Sequence, residues 1–266
     1  MSHVDGARSY RNSLRGAQDF GGGSDHLNTV TLGGDMKLSE HMLAGMLTVL
    51  TTNDRTLAER LRNMDDVVDE LYTAVKLYLA QIPREALEAR EGRRWADIVS
   101  FAINMEQVGD IIERVITDVE EKKIEKGRSF STAGMQEICD LHGRLVANLR
   151  LGMSVFLHGD LSSAQQLLAE KVMFRDLERA YAGSHIERLT SNTAQSIETS
   201  SLHLDLISDL KRINSHICSI AYPILEEAGV LAKTRLKEPL PAPPPDVSAS
   251  DSGDKPGWQK RKPHAV

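Results

Sequence analysis

Hydrophobic residues recur at steps of three and four over most of residues 36–229, which is the spacing of amphipathic α-helices. Short polar breaks such as TND at 52–54 and HGD at 158–160 divide this pattern into six helices. Short connections between long helices make neighbours run antiparallel, so the expected fold class is all-α. The predicted helices are 36–52, 54–82, 93–126, 132–158, 160–191 and 197–228.

The six helices form two copies of one three-helix unit. The turn that contains Asp54 matches the turn that contains Asp160, and each aspartate is expected to be the N-cap of the helix that follows. The sequence therefore predicts a tandem pair of antiparallel three-helix bundles, over residues 36–128 and 129–230. The apolar positions of the third helix recur in the sixth at an offset of 105: Phe101, Met105, Val108, Ile112, Val115 and Val119 correspond to Leu206, Leu210, Ile213, Ile217, Ile220 and Ile224.

The two ends of the chain differ in composition from the helical region. Residues 1–35 contain GGGS and LGGD without sustained periodicity, and we expect a flexible leader or linker there. Prolines are dense from residue 231 onward, as in EPLPAPPPD, and a basic QKRKPH follows. Residues 231–266 are therefore expected to be a disordered, Pro-rich, basic tail.

Composition narrows the function classes. No apolar run approaches the roughly 18 residues of a membrane-spanning helix, so the chain is expected to be soluble. The net charge of −6 argues against nucleic acid as a partner. The sequence has no recognisable nucleophile–histidine–acid arrangement and no glycine-rich phosphate loop, so we do not expect an enzyme.

A pattern of paired carboxylates carries the candidate chemistry. Glu106 and Asp110 lie one turn apart on the outward face of the third helix, with Gly109 between them, and Asp65 and Asp69 repeat this step on the second helix. A glycine inside a helix costs about 1 kcal/mol relative to alanine, so a close approach should require it. If the two helices pack side by side, the four carboxylates converge and offer oxygen ligands to a hard cation. The alternative is an ordinary solvated acidic face.

Several motifs resemble a known family. NMEQVGDIIERV, at residues 104–115, resembles the LERIGD-type signature of PhoU proteins. Two longer stretches resemble the PhoU-like cytoplasmic domain of the bacterial Na⁺/phosphate cotransporter family. One is SIETSSLHLDLISDLKRINSHICSIAYPILEEAG, at 196–229, and the other is FAINMEQVGDIIERV preceded by DDVVDELYTAVKLYLAQI. The resemblance covers residues 36–229 and implies a fold of two three-helix bundles.

The resemblance also implies a metal site. Carried over residue by residue, it makes Asp65, Asp69, Glu106 and Asp110 the ligands of a metal cluster, with Asp66 as a substitute ligand. The implied cofactor is a divalent or trivalent metal ion, such as Mg, Mn, Zn or Fe.

The implied function is a regulatory or accessory role in Na⁺-coupled inorganic phosphate transport. The domain would lie on the cytoplasmic side of the inner membrane and act by conformational coupling to a membrane transporter. The alternative is a stand-alone PhoU-type adaptor that binds a phosphate-signalling protein, and a homo-oligomer is compatible with either. Cotransporters of this family carry membrane spans upstream, whereas this sequence has none. We expect either a truncated or split form or a domain that is not attached in the way the resemblance implies.

The second bundle departs from the family pattern. Cations stand where the pattern has acidic residues, and they would repel a metal ion, so the second bundle is expected to lack a metal site. Aligned on the internal repeat, the four acidic positions become Lys171, Arg175, Lys211 and Ser215.

The basic residues of the second bundle leave two interpretations open. With their neighbour Arg212, the residues Lys171, Arg175 and Lys211 are candidates for an anion-binding surface for phosphate, a nucleotide or acidic lipid. Alternatively they form ion pairs with the nearby acids Asp176, Glu178, Asp205 and Asp209. His203 and His216 are expected to be helix-surface residues rather than metal ligands.

Overall fold

The structure is a computed structural model that describes residues 24–81, 88–190 and 194–231. The tail predicted for 231–266 and the leader before residue 24 lie outside these ranges, except for Leu231. Within them the regular secondary structure is entirely helical. The first lobe contains α1 (Ser24–Thr52), α2 (Arg55–Ala80), α3 (Ala89–Val119) and a π-helical turn (Glu120–Ile124). The second lobe contains α4 (Thr132–His158), α5 (Leu161–Thr190), α6 (Ala194–Glu198), α7 (Ser200–Cys218) and α8 (Ala221–Glu227).

The first turn of each lobe has the same construction. Asn53 has a φ of 59° and Gly159 a φ of 66°, so both turns pass through the left-handed region that Asn and Gly tolerate. The next residue is an aspartate whose carboxylate accepts a backbone N–H from three positions later, at 3.0 Å for Asp54 and 2.7 Å for Asp160. The predicted N-caps are confirmed, and the internal repeat extends to backbone geometry.

One continuous apolar core holds both lobes. α1, α2 and α3 pack pairwise, as do α4, α5 and α7, and the lobes meet through α3 with α7 and α1 with α4. Phe101 of the first lobe stacks on Phe156 of the second, with ring centroids 4.1 Å apart. The predicted seams of α3 and α7–α8 are buried, except that Ile224 is half-buried. Burial of these seams supplies the main driving force for the fold.

Two helix predictions differ from the structure. The first helix begins at Ser24 rather than at residue 36, so residues 24–35 are helical and not part of an irregular leader. The predicted helix 197–228 is divided into α6, α7 and α8. Pro223 explains the second interruption, because it has no N–H for the Ser219 carbonyl, which accepts instead from the Tyr222 N–H at 3.2 Å.

None of the helices in the described ranges is both long enough and apolar enough to cross a bilayer.

Candidate metal centre on the first lobe

The packing of α2 against α3 brings the predicted carboxylates together. The helices run antiparallel, since Asp65 lies opposite Gly109 whereas the Trp95 indole N–H donates to the Leu79 carbonyl at 3.1 Å. Three side chains offer oxygens that all lie within 4.8 Å of one another, a spacing suited to a shared cation. We call Asp69, Glu106 and Asp110 the carboxylate triad.

Asp65, the fourth predicted ligand, lies beneath the surface instead of on it. Its side chain is buried at 7% exposure, and Oδ1 has no hydrogen-bond partner among the residues the structure describes. A Cβ atom at Gly109 would collide with this same oxygen. Gly109 therefore makes room for the Asp65 carboxylate, which accounts for a glycine in the middle of α3.

Negative charge accumulates around these groups and raises their pKa values. Burial, followed by repulsion from Asp69 and Glu113, raises the pKa of Asp65 to about 7. Burial and then Glu106 raise the pKa of Asp69, and the same two causes raise the pKa of Asp110. Burial and mutual repulsion both disfavour the ionised carboxylates here, and a bound cation would relieve the repulsion.

Three further side chains surround the centre. The Gln107 amide donates to Glu106 Oε2 at 2.8 Å and so helps to orient that carboxylate. Asp66, the predicted substitute ligand, is exposed and adds to the negative field on Asp65. Glu113 was not singled out from the sequence, although it follows Asp110 by three residues and therefore lies on the same side of α3.

The equivalent face of the second lobe is formed by α5 and α7, and it contains ion pairs. Lys211 Nζ lies 2.7 Å from Glu178 Oε1, and this pair joins the two helices. Arg175 Nη2 lies 3.1 Å from Oδ1 of its sequence neighbour Asp176. These contacts match the predicted ion pairing, and they place cations where the first lobe has its carboxylates.

The other two basic residues have different surroundings. Arg212 lies 3.3 Å from Asp209 Oδ1, and Arg114 of α3 lies 2.6 Å from the same oxygen. Lys171 donates to the Tyr222 hydroxyl at 3.3 Å and lies 5.2 Å from the ring centroid, so its contact differs from the predicted carboxylate pairing. Asp205, also predicted as a partner of these cations, lies instead 3.8 Å from Lys122 of the first lobe.

The prediction that His203 lies on a helix surface is wrong. His203 is 1% exposed and stacks on His185, with ring centroids 4.6 Å apart. Its Nε2 lies 3.2 Å from Oε2 of Glu137, which Arg188 also contacts with two hydrogen bonds of 2.6 and 2.7 Å. His203 precedes Leu206 by three residues and so extends the buried seam, a signal already present in the sequence.

His216 is half-buried at the contact between α3 and α7, not on a free helix surface as predicted. Its Nδ1 lies 2.9 Å from Asn104 Oδ1 on α3. Two polar contacts therefore join the helices that carry the equivalent faces, Asn104 with His216 and Arg114 with Asp209.

Comparison with known proteins identifies the family. The two tandem three-helix bundles define the class, an all-α protein built from an internal repeat, and the PhoU domain model matches residues 36–119 and 138–224, one match in each lobe. The chain belongs to the PhoU family.

Relatives and solved structures extend this assignment. YjbB proteins of Salmonella typhimurium and Escherichia coli K12, named for a suggested role in inorganic phosphate export, are 46% and 45% identical over 188 residues. These residues are 71% of this chain but only 34% of each relative's length.

The crystal structure of PhoU from Pseudomonas aeruginosa matches with a TM-score of 0.65 at 16% identity, over 84% of this chain and 98% of that one. The structure of the phosphate transport system regulatory protein PhoU from Streptococcus pneumoniae gives 0.66 at 17%, over 79% and 97%. These likenesses show the fold.

Proposed function

We propose that this chain is a PhoU-type regulatory domain of inorganic phosphate transport that binds a divalent or trivalent cation between α2 and α3. Family membership supports the regulatory role. The proposal of a bound cation depends mainly on one observation. Asp65 Oδ1 is buried without a described hydrogen-bond partner, and Gly109 makes room for it beside the carboxylate triad. A buried ionised carboxylate is costly unless a positive group compensates it.

The residues present fit a hard cation. Asp69, Glu106 and Asp110 would hold the ion, with Asp65 contributing from below. Carboxylate oxygens are the ligands preferred by Mg²⁺, Mn²⁺ and Fe³⁺, and they also bind Zn²⁺. When bound, the ion would neutralise the carboxylates and tie α2 to α3.

The proposed action is conformational rather than catalytic. A cation that fixes α2 against α3 changes the stability of α3, and α3 contacts α7 through Asn104–His216 and Arg114–Asp209. These contacts provide a physical connection from the metal centre to the second lobe. A regulatory domain needs such a connection, because a ligand acts on a distant surface only through contacts that differ between two states.

The proposed partner is a membrane protein that moves inorganic phosphate, with this domain on the cytoplasmic side of the inner membrane. Na⁺-coupled transport is the finer proposal, whereas the names of the YjbB relatives point to export. A second candidate is a stand-alone adaptor for a phosphate-signalling protein, which the printed name of the Streptococcus pneumoniae structure, a phosphate transport system regulatory protein, suggests. Co-purification from detergent-solubilised membranes with a transporter, or with a signalling protein instead, separates the two.

Isothermal titration with Mg²⁺, Mn²⁺, Zn²⁺ and Fe²⁺ tests the metal centre. Wild type should bind at least one of these ions, and Asp110→Asn should abolish this binding. Lys211→Ala is the control in the second lobe and should bind like wild type, because Lys211 is engaged with Glu178. Equal titrations for wild type and Asp110→Asn would show that the carboxylates form only a solvated acidic face.

Intracellular phosphate in the source organism tests the regulatory role. Cells with an Asp110→Asn allele should differ from wild type in phosphate content after a phosphate load, whereas Lys211→Ala cells should not. If both alleles leave phosphate content unchanged, the proposed link to transport fails.

A further inference from the structure

The contacts between α3 and α7 fix which residues face each other across the lobes. Asn104 meets His216, and Arg114 meets Asp209. The triad members Glu106 and Asp110 lie between residues 104 and 114 of α3, and Arg212 lies between residues 209 and 216 of α7. Because the helices run antiparallel, Arg212 stands at the same level as these two triad members.

The charges around His216 support this placement. Burial lowers the pKa of His216, the neighbouring cations Arg212 and Lys171 lower it further, and Glu106 acts in the opposite direction. These charged groups therefore lie in the neighbourhood of one histidine at the lobe contact.

Two arginines meet one carboxylate at this contact between the lobes. Arg114 and Arg212 share one carboxylate oxygen, Asp209 Oδ1, at 2.6 and 3.3 Å. The contacts found for Lys171 are with Tyr222 and not with a carboxylate. Arg212 also keeps donors for a further ligand, because a guanidinium has five N–H groups and the described contact uses one.

We propose that a phosphate oxyanion binds across the two lobes, between the cation held by the carboxylate triad and the side chains of Arg212 and Lys171. This inference rests on the proposed function, since it requires the cation. Without the cation, the carboxylate triad would repel an anion. With the cation bound, the phosphate would contact the metal ion on one side and the Arg212 guanidinium on the other. Arg suits this position because its planar fork matches two phosphate oxygens.

The arrangement would make the domain respond to phosphate itself. The cation and the phosphate would each raise the affinity for the other by the same factor, because linkage is reciprocal. The proposal also explains why basic residues occupy positions in the second lobe that are acidic in the first. Arg212 and Lys171 would contribute the second half of a site whose first half is the carboxylate triad.

Calorimetric titration of the full chain with inorganic phosphate, with and without saturating Mn²⁺, tests the proposal. We expect phosphate binding only with Mn²⁺, and a loss of affinity of about tenfold or more in Arg212→Gln, the usual cost of a charge-assisted hydrogen bond. Lys171→Gln should weaken binding in the same direction. The matched control is Arg150→Gln, because Arg150 is an exposed second-lobe cation paired with Glu40 at 2.6 Å on α4 and α1, away from this contact.

The failures of the two proposals are distinguishable. If wild type and Arg212→Gln both bind Mn²⁺, and Arg212→Gln and Arg150→Gln bind phosphate with equal affinity, the bridging phosphate site is overturned. The metal centre then stands. Absence of Mn²⁺ binding by wild type overturns both. Binding of the protein to phosphatidic acid vesicles is measured separately. Binding to these vesicles in metal-free buffer, together with no binding of inorganic phosphate in the titration, would contradict a free phosphate ligand.

Discussion

The α2–α3 face of the first lobe and the α5–α7 face of the second occupy equivalent positions in an internal repeat, yet their charges are opposite. The first has a triad of carboxylates within 4.8 Å and a buried aspartate oxygen without a partner among the described residues. The second has Lys211 engaged with Glu178 and Arg175 with Asp176. One backbone plan thus supports an acidic face in the first lobe and a face with its own ion pairs in the second.

The difference shows that the family fold alone does not define the ligand. Both lobes keep the same capped turn at Asp54 and Asp160 and the same buried seam spacing. The chemistry changes through a few side chains on an unchanged scaffold, which is the usual relation between fold and function. A metal site in one lobe therefore does not imply one in the other.

The largest expected effect is a metal-dependent gain in stability that depends on the first-lobe face and not on the second-lobe face. With a cation at about 100 times its dissociation constant, wild type should gain roughly 2.7 kcal/mol in free energy of unfolding, seen as a higher Tm. Asp110→Asn should lose this gain, and Lys211→Ala should keep it. A metal-dependent gain of the same size in Asp110→Asn would contradict the assignment of the triad.

The second effect belongs to the histidines of the second lobe. Burial and the neighbouring His185 and Arg188 lower the pKa of His203 from its ordinary value of 6.5 to about 4, whereas Glu137 opposes this shift. The unfolded chain therefore binds the proton more tightly, so stability is complete above pH 6.5 and falls as the pH drops toward 4. At pH 5 the loss from His203 alone is about 2 kcal/mol.

Urea unfolding between pH 7 and pH 4.5 checks this dependence. His203→Gln should be less stable throughout but should lose less stability on acidification than wild type. His158→Gln, at an exposed position on α4, should follow the wild-type slope. Parallel curves for wild type and His203→Gln would mean that protonation of His203 does not contribute.

The third effect concerns the glycine that accommodates Asp65. Gly109→Ala places a methyl group against Asp65 Oδ1, so the carboxylate must rotate away, and metal affinity should fall about tenfold, or roughly 1.4 kcal/mol. Gly143→Ala on α4 is the matched control, since a Cβ there meets nothing within 4 Å. It should stabilise the protein by about 0.5–1 kcal/mol without changing metal affinity. Calorimetric titration with Mn²⁺ distinguishes the two, and unchanged affinity in Gly109→Ala would contradict this role.

The smallest effect is the contribution of the second-lobe ion pair. Lys211 is about one third exposed, at 35%, so a double-mutant cycle with Glu178→Ala should give a coupling of about 1 kcal/mol or less. The Arg175–Asp176 pair is more exposed and joins sequence neighbours, so its coupling should be smaller still. A larger coupling for Arg175–Asp176 than for Lys211–Glu178 would reverse this order.

The repeat and its seams were predictable from sequence because helical periodicity is a local signal. The capped turns at Asp54 and Asp160 were predictable for the same reason. The two four-residue steps were visible in the sequence, and the family resemblance supplied the pairing of α2 with α3. The structure agrees, in that Asp69, Glu106 and Asp110 share one small region.

The depth of individual polar residues was harder to predict. Asp65 follows Leu61 by four residues and precedes Val68 by three, so it lies on the buried side of α2, yet its charge suggested a surface position. His203 was misplaced for the same reason. The Glu137–Arg188 pair joins residues 51 apart, and no local pattern reveals such a contact.

Anomalous scattering from a Mn²⁺-soaked crystal tests the central claim most directly. The account predicts one region of strong anomalous density between α2 and α3, in contact with Asp69, Glu106 and Asp110, and none on the α5–α7 face beside Lys211. A crystal of Asp110→Asn should lose the density. Density on the second lobe, or none on the first with Mn²⁺ in excess, would contradict the claim that the two faces have diverged in this way.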